Sequence, residues 1–378
     1  MANTLKFGNG QWATKYGSTL AYNDENGNFK PLPFTFERRG NATRVNKEGL
    51  IEIVGENIPR IDYLNDSNGA LLLEPSRTNL ETKSNGFSTW GVNSNITRTA
   101  DYIISPDGTL NGTRFQFTAN GFCSNTPQSL ATYTVSCYAK RNDNGTQNVG
   151  FFTNGSGVVN SAWDITSEWK RFSYTFPTLN ASFMGIAGVS GADISVYGFQ
   201  IEGIVSYPTS YIPTQGGAAV TRLAETCSQT VTDGVIGQTE GTVYADVNFV
   251  GSTEAITNQI FFLREQGSNN GYLFAGFYQG KLNCGMRVGG SLLFDAFFSS
   301  ALTKGRYKIA IAYKSGDTKI YVNGVQTGFK NNSFGLTNFA EILLTGSAGT
   351  NQLGDINREF KLYNTRLTDQ ELAALTQV

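Results

Sequence analysis

The chain has 378 residues, 43 of them glycine, with 16% charged residues and a formal net charge of −1. That balance excludes a protein that tracks nucleic acid through clustered lysine and arginine. The absence of histidine removes the usual general base, the usual zinc ligand and every catalytic triad built on an imidazole. At about 150 residues per domain, the length predicts two or three domains.

Export and membrane signals are missing from the sequence. No stretch approaches the roughly 18 apolar residues of a membrane span. Residues 1–8, MANTLKFG, lack the apolar region of a signal peptide. We therefore expect a protein that is made in soluble form in the cytoplasm, without export and without membrane insertion.

The cysteines are spaced too widely for a redox or zinc motif. They are Cys123, Cys137, Cys227 and Cys284, with no CxxC pair. Because the chain carries no export signal, we predict four buried free thiols. A disulfide or a metal site is the alternative.

Asn-Gly pairs recur along the chain, at positions that include Asn9, Asn68, Asn111, Asn270 and Asn323. This dipeptide favours tight hairpins and exposed loops. Together with the high glycine and low charge content, it predicts an all-β chain. We expect an irregular N-terminal attachment segment followed by two β-sandwich (jelly-roll) domains. The expected divisions are residues 1–79, 80–226 and 227–378.

The first division, 1–79, is predicted to be turn-rich. We expect short strands at 5–12 and 19–27, and an extended stretch at 31–36, where each proline restricts the residue before it. Such a segment has little core of its own. We expect it to be stabilised by docking on a neighbouring chain.

Five short motifs follow one another between residues 36 and 80. They are FERR (36–39), ATRVN (42–46), GLIE (49–52), PRIDY (59–63) and LLLEPSRTNL (71–80). Their order resembles the leader of fibre, spike and other virion-surface proteins of tailed bacteriophages. The resemblance implies that this segment attaches the chain to other virion proteins. The alternative is a β-rich linker made of ordinary turn and strand residues.

Charges of both signs accompany these motifs. The arginines are Arg38, Arg44, Arg60 and Arg77, and the acids are Glu52, Asp62 and Glu74. Paired guanidinium and carboxylate groups form strong, oriented hydrogen bonds. We expect ion pairs that fix the segment against the next domain, in preference to a ligand site.

The second division, 80–226, contains strands that alternate apolar and polar residues. Tyr133, Val135 and Cys137 share one strand face, and residues 172, 174 and 176, all aromatic, share another. The order of its segments, ending in TSYIPT at 209–214, resembles carbohydrate-binding-module-like jelly rolls of phage proteins. That resemblance implies a sugar-binding module.

Sugar binding commonly uses an exposed aromatic ring, with amides beside it for the hydroxyls. The candidate rings are Trp90 and Trp163, which stand among predicted loop residues, and the candidate amides are Asn93 and Asn154. Trp169 precedes a strand, where a core position is expected. The alternative for every one of these tryptophans is a place in the core.

The third division, 227–378, contains two successive hairpins. Residues 306–313 and 318–322 alternate, and Asn323-Gly324 offers the positive φ angles of a type I′ turn. A predicted closing strand at 359–363 and a helical tail follow these hairpins. This succession of sequence segments resembles concanavalin A-like (laminin-G-type) jelly rolls. Many members of that family bind calcium. Here Asp295, Asp317 and Asp355 are isolated acids, so calcium is an open expectation and no metal ligand is assigned.

These resemblances imply a structural component of a bacteriophage particle, a head or tail fibre or spike. It would display its sandwiches at the virion surface and bind host surface polysaccharide during adsorption. Several copies, expected as a homotrimer, would add avidity to weak sugar contacts. The expected partners are other virion proteins, through residues 1–79, and the host glycan, with no nucleic acid.

Two other functions remain open. The chain could be a capsid decoration or cement protein without a ligand, because a fold alone does not define a function. It could also be a glycan depolymerase. A retaining glycosidase needs two carboxyls about 5–5.5 Å apart, which concanavalin A-like glucanases place on an E-x-D-x-x-E strand. That pattern is absent, so we predict no catalytic residue and no enzyme.

Overall fold

The computed structural model describes residues 3–24, 30–64, 66–92, 95–125, 131–143, 148–153, 157–159, 163–179, 183–255, 258–346 and 355–378. Backbone contacts divide the chain into two compact units. The first unit comprises Met1–Asn41, Val54–Ser76 and Leu223–Val378, and the second comprises Ala42–Ile53 and Arg77–Arg222. Over the described ranges, no helix has the length and apolar character of a transmembrane span.

The N-terminal segment is made of short strands joined by turns. They are β1 (Asn3–Gly8), β2 (Thr14–Lys15), β3 (Ser18–Asp24), β4 (Lys30–Glu37), β5 (Ala42–Val45), β6 (Ile51–Val54), β7 (Arg60–Asp62), β8 (Ala70–Leu73) and β9 (Arg77–Asn79). The strands predicted at 5–12 and 19–27 overlap β1 and β3. The extended stretch at 31–36 lies in β4.

The middle of the chain begins with a 3-10 turn at Phe87–Thr89 and continues with longer strands. They are β10 (Gly91–Val92), β11 (Ile96–Ile104), β12 (Leu110–Phe117), β13 (Gly121–Asn125), β14 (Ala131–Arg141), β15 (Val149–Thr153), β16 (Gly157–Val159), β17 (Lys170–Leu179), β18 (Met184–Gly188), β19 (Asp193–Gly203) and β20 (Val220–Arg222). The residues predicted to share strand faces lie in β14 and β17.

The C-terminal part ends in a helix. Its strands are β21 (Thr226–Thr230), β22 (Glu240–Phe249), β23 (Asn258–Glu265), β24 (Ser268–Tyr278), β25 (Lys281–Val288), β26 (Ser291–Phe297), β27 (Gly305–Lys314), β28 (Thr318–Val322), β29 (Val325–Lys330), β30 (Glu341–Leu343) and β31 (Asp355–Tyr363). Helix α1 (Asp369–Thr376) begins with a capping box, in which Thr368 and Glu371 satisfy each other's backbone N–H groups.

Antiparallel pairing in the first unit brings N-terminal and C-terminal strands together. The succession of paired strands is β26, β25, β24, β23, β30, β21, β4, β3, β1, β31, β22, β27, β28 and β29. Strands β1, β3 and β4 thus fill the span between β21 and β31. Strands β1, β3 and β4 therefore pair within their own chain, and docking of this segment on a neighbouring chain stays a prediction.

The core of the first unit draws on both ends of the sequence. Leu5, Phe7, Phe34 and Phe36 are buried in the same apolar cluster as residues of β22, β27 and β31. The alternation along each strand turns these side chains inward. Leu5 lies opposite Leu362 in the β1–β31 pair.

The predicted hairpin turn after β28 is confirmed. Asn323 and Gly324 have φ angles of +49° and +83°, as a type I′ turn requires. Val322 therefore pairs directly with Val325. The preceding strand, β27, places Ile309 and Ile311 in the core.

The second unit contains two five-stranded antiparallel sheets. Their strand orders are β11-β12-β19-β14-β17 and β10-β13-β18-β15-β16. The inward faces enclose an apolar core that includes Val135, Cys137 and Phe172. Two smaller pairs, β5 with β6 and β9 with β20, complete the unit.

All four cysteines are buried, and none is paired with another. Burial raises the pKa of Cys123 to about 12, against a smaller opposing effect of Arg98. Such thiols are protonated and inert at neutral pH.

Ion pairs form along the N-terminal motifs, as their charges predict. In the first unit, Arg38 Nη1 lies 2.8 Å from Glu225 Oε1, and Arg60 Nη2 lies 2.5 Å from Glu225 Oε2 and 2.9 Å from Glu74 Oε2. In the second unit, Arg44 Nε lies 2.6 Å from Glu52 Oε1. Glu225 was not among the acids singled out in the sequence.

The prediction of an all-β chain with β-sandwich domains is confirmed. The boundary between the units at residues 222 and 223 lies close to the predicted boundary at 226 and 227. Residues 1–79 are divided between the two units. Part of this segment belongs to the first unit, and part, residues 42–53 and 77–79, belongs to the second.

Candidate functional site

Trp90 and Trp163, predicted as exposed sugar-stacking rings, lie in the core of the second unit. Their exposed fractions are 2% and 4%. Trp90 packs against Phe199 with 5.0 Å between ring centroids, and Trp163 stacks on Phe172 at 4.6 Å. The expectation of exposure is wrong for both rings, because aromatic neighbours cover the faces that a pyranose would need.

The other predicted residues are the amides of Asn93 and Asn154 and the ring of Trp169. Asn93 and Asn154 lie outside the described residues. Trp169 is half-buried, and its Nε1 donates a hydrogen bond to the carbonyl oxygen of Ile104 at 3.0 Å. Whether any of the predicted residues contacts a glycan stays a prediction, and the second unit offers a different surface.

That surface is a cleft of about 780 Å³. Its walls come from the hairpin of β5 and β6, from the segment that includes the 3-10 turn, from the β11–β12 turn, and from the segment that follows β19. The residues that define its chemistry are Ile53, Lys83, Asp107, Asn111, Tyr197 and Gln215.

The β5–β6 hairpin reaches the cleft because its inner side is apolar. Val45 and Ile51 pack against Tyr197 and Tyr211 in one buried cluster. The backbone N–H of Ile51 also donates to the carbonyl oxygen of Pro106 at 2.8 Å. The hairpin is thereby held against the β11–β12 turn, and Ile53 is left at the cleft rim.

Asp107 is the centre of the hydrogen bonds on the cleft floor. Its Oδ1 accepts from the Ser105 hydroxyl at 2.8 Å and from the backbone N–H and hydroxyl of Thr109 at 2.8 and 2.7 Å. Its Oδ2 accepts from Asn111 Nδ2 and from the Tyr197 hydroxyl, both at 2.9 Å. These five donors occupy the lone-pair positions of one carboxylate. Asp107 therefore orients its neighbours and has no free position for a ligand.

The charge state of Asp107 follows from the same contacts. Burial raises the pKa of Asp107, but the hydrogen bonds from Thr109, Asn111 and Ser105 outweigh burial and hold the pKa below its usual value of 3.8. Hydrogen bonds donated to a carboxylate favour its charged form. Asp107 is therefore ionised at neutral pH.

A second group of hydrogen bonds fixes the opposite side of the floor. The Tyr211 hydroxyl and Ser84 Oγ lie 2.6 Å apart. Thr214 Oγ1 accepts from the backbone N–H of Ser84 at 2.9 Å and donates to the carbonyl oxygen of Glu81 at 2.7 Å. Burial raises the pKa of Tyr211, so its hydroxyl stays protonated. The floor is thus preorganised before any ligand enters.

Four further side chains line the cleft: Asn111, Ile53, Lys83 and Gln215. Asn111 Oδ1 is buried and accepts no hydrogen bond from the part of the chain that the structure describes. Its orientation is fixed because Nδ2 of the same amide donates to Asp107. Ile53, with 62% of its surface exposed, supplies an apolar rim, and Lys83 and Gln215 supply polar groups.

Sequence reasoning missed this cleft. Its residues come from segments that are distant in the chain and that share no motif. The available signal was weak: Asn85-Gly86 and Asn111-Gly112 mark exposed turns. Nothing in either pair shows that the turns meet in the fold.

Of the acids considered for calcium, Asp295 and Asp317 have polar partners of their own, and the side chain of Asp355 lies outside the described ones. Asp295 Oδ1 accepts a hydrogen bond from Asn283 Nδ2 at 2.8 Å, and Asp317 lies 3.1 Å from Arg366. Among the described side chains, no three of the cysteine, aspartate or glutamate type lie close enough together to hold a metal ion. Calcium binding stays a prediction.

The C-terminal part of the chain matches a known family. Residues 225–373 fit the family described as the concanavalin A-like lectin/glucanases superfamily. The chain therefore contains a concanavalin A-like domain in the region where the hairpins resemble one. A comparison with curated protein sequences gives no match.

Solved structures resemble parts of the chain. The CBM40 domain of the Ruminococcus gnavus IT-sialidase bound to α2,3-sialyllactose is 17% identical, with 38% of this chain and 84% of that chain covered and a TM-score of 0.33. Domain 4 of the Geobacillus stearothermophilus arabinanase AbnA in complex with arabinotriose is 19% identical, with 46% and 89% covered and a TM-score of 0.34. The heptameric SAP-like pentraxin of Limulus polyphemus is 16% identical, with 36% and 69% covered and a TM-score of 0.28.

Proposed function

We propose that this chain, with its concanavalin A-like domain at residues 225–373, is a non-catalytic glycan-binding protein that binds through the cleft of its second unit. The observation that carries this proposal is the fixed polar floor beneath an apolar rim in one cleft of about 780 Å³. Small-molecule sites are concave and combine apolar walls with a few placed polar groups. A cleft of this kind suits a short stretch of a glycan chain.

The chemistry of the lining suits sugars in particular. A sugar presents hydroxyl groups, which both donate and accept hydrogen bonds, and an apolar C–H face. The unpaired Oδ1 of Asn111 can accept from a hydroxyl, and Gln215 and Lys83 can donate to one. Ile53 can cover the C–H face, since its side chain is largely exposed at the rim.

The carboxylates of the cleft support binding without cleavage. A glycosidase needs a carboxyl with a raised pKa to protonate the leaving group. The pKa of Asp107 is lowered instead, and Glu52 is ion-paired with Arg44 at 2.6 Å. We therefore propose no catalytic residue and no enzymatic activity.

The same proposal places the protein at the surface of a tailed-phage particle, as a head or tail fibre or spike. Support comes from the five leader motifs between residues 36 and 80. The proposed partners are other virion proteins, through residues 1–79, and host surface polysaccharide. A homotrimer would multiply weak contacts. Neither nucleic acid nor membrane insertion is part of the proposal.

A capsid decoration or cement protein is the competing function. It would use the same sandwiches and leader but would bind no glycan. The cleft favours the binding function, because packing alone does not require an open cleft above a preorganised polar floor.

The test uses two isoleucines of the second unit that are almost equally exposed. Ile53 is 62% exposed at the cleft rim, and Ile104, at 59%, does not line the cleft. Each is replaced by aspartate, and co-sedimentation with host surface polysaccharide is measured together with the release of reducing ends. We expect Ile53→Asp to weaken binding at least about tenfold, equivalent to 1.4 kcal/mol, and Ile104→Asp to leave it unchanged.

The outcomes separate the competing functions. Equal loss in both variants would place binding elsewhere. No binding by the unaltered protein would favour the decoration function. New reducing ends would establish an enzyme and contradict the non-catalytic proposal.

A further inference from the structure

The cleft has few charged side chains, and only some of them form an ion pair. In the described lining, the charged side chains are Glu52, Lys83 and Asp107. Glu52 is neutralised by Arg44, whose Nε lies 2.6 Å from its Oε1, and it also accepts from Asn46 Nδ2 at 3.3 Å. The charges that remain are the carboxylate of Asp107 on the floor and the ammonium of Lys83.

Asp107 carries its negative charge without a cationic partner among its hydrogen-bond donors. Its donors are hydroxyl, amide and backbone N–H groups, all neutral. Neutral donors stabilise a carboxylate but do not cancel its field at a distance. The floor is therefore a source of negative potential.

The Tyr197 hydroxyl donates to Asp107 Oδ2 at 2.9 Å, so this charge lies directly beside the aromatic part of the floor. Burial is the main cause that raises the pKa of Tyr197 and of Tyr211; the charge of Asp107 adds to both, and Ser84 and Arg171 oppose the rise for Tyr211. Both rings line the cleft. A ligand resting on them would be exposed to the same potential.

Anionic sugars are usually held by arginine, because a guanidinium binds a carboxylate or sulfate through two parallel hydrogen bonds. No arginine is among the described residues that line the cleft. The lysine is a single point charge on a flexible side chain. A carboxylated sugar would therefore meet one mobile cation and one fixed anion.

The unpaired acceptor also selects a donor. Asn111 Oδ1 is buried without a partner in the described part of the chain, and a buried acceptor is costly until a donor reaches it. A sugar hydroxyl can donate, whereas an ionised carboxylate accepts only. We propose, building on the glycan-binding function above, that the cleft selects uncharged sugars and discriminates against those that carry carboxylate or sulfate groups.

The test is a panel of immobilised oligosaccharides in matched pairs, in which a neutral galactoside or glucoside is printed beside its sialylated, glucuronylated or sulfated counterpart. The full chain is applied at 50 and 500 mM NaCl. We expect at least about tenfold stronger binding to the neutral member at low salt. The difference should shrink at high salt, because salt screens the repulsion.

Each result is decisive. Equal or stronger binding to the charged oligosaccharides would contradict the proposed selectivity, and so would binding to them that disappears at high salt. Neither result would contradict glycan binding itself. Binding to no member of the panel would overturn the glycan-binding function as well.

Two variants connect the selectivity to the cleft. Asp107→Asn removes the fixed charge and should bring the neutral-to-charged ratio towards one. Lys83→Gln removes the cation from the cleft lining and requires no change in the floor hydrogen bonds. It should raise the ratio of neutral to charged oligosaccharide binding. A ratio that falls in Lys83→Gln would show an attractive anion site and contradict the proposal. If Asp107→Asn does not fold, Lys83→Gln alone still tests the selectivity.

Discussion

Single residues of the N-terminal motifs find partners far along the chain. Arg38 donates to Glu225, 187 positions away, and Arg60 donates to Glu225 and to Glu74. The arginines could be predicted to pair, because their charges stand among acids in the sequence. The identity of Glu225 could not, since only the folded chain brings it to them. All four side chains are nearly or fully withdrawn from water.

Removing one member of this group should be costly. Glu225→Gln leaves two buried guanidinium groups without their shared carboxylate, and we expect a loss of about 3–5 kcal/mol in the free energy of unfolding. Urea unfolding monitored by fluorescence measures it. The control is Glu52→Gln, which breaks a partly exposed pair and should cost about 1 kcal/mol or less. Equal losses in the two variants would contradict a buried, interdependent group.

Asp107 predicts an acid-sensitive contribution to stability. Its pKa in the folded state lies below 3.8, so the folded protein binds this proton more weakly than the unfolded chain does. The contribution is complete above the unfolded pKa and is lost as the pH falls through the folded pKa. Urea unfolding measures the free energy of unfolding of the unaltered protein and of Asp107→Asn. We expect the difference between the two free energies to become smaller as the pH falls below 3.8. A difference independent of pH would refute this role of the carboxylate.

At the scale of elements, local pairing could be predicted and distant pairing could not. The β28–β29 hairpin follows from alternation and from Asn323-Gly324, because neighbouring strands need only a turn of the right type. The pairing of β1 with β31 joins residues more than 350 positions apart. No local pattern specifies such a partner. For the same reason, the predicted N-terminal module is shared between two units.

The first unit should therefore depend on the N-terminal strands. Burial of one large apolar side chain contributes about 1.5–3 kcal/mol. Leu5, Phe7, Phe34 and Phe36 would together supply about 6–12 kcal/mol, comparable to the total stability of about 5–15 kcal/mol of a whole domain. We expect a fragment of residues 223–378 to show no cooperative urea transition.

The matched control for this fragment joins residues 1–76 to residues 223–378 through a flexible linker. It restores β1, β3 and β4 and should recover a cooperative transition. If the shorter fragment already unfolds cooperatively, the N-terminal strands are dispensable for this core.

Across the whole molecule, the fold class was easier to predict than the site. Repeated alternation and Asn-Gly turns are distributed along the chain and identify an all-β protein. The cleft is formed by the β5–β6 hairpin, two turns and the segment after β19. None of these segments has a sequence motif that identifies a binding site. Trp90 and Trp163 show the converse: loop-like surroundings suggested exposure, whereas packing against Phe199 and Phe172 buries both rings.

The pairing of β1 with β31 also determines how the first unit would respond to a mechanical load. The strands are antiparallel, with Leu5 opposite Leu362 and Gly8 opposite Glu359. The segment before Leu5 and the segment after Leu362 thus leave the pair at the same end. A force drawing these segments apart would open the pair like a zipper, one residue pair at a time, instead of shearing all its hydrogen bonds together. Tension applied there would therefore separate β1 from β31 at low force and leave β1 paired with β3.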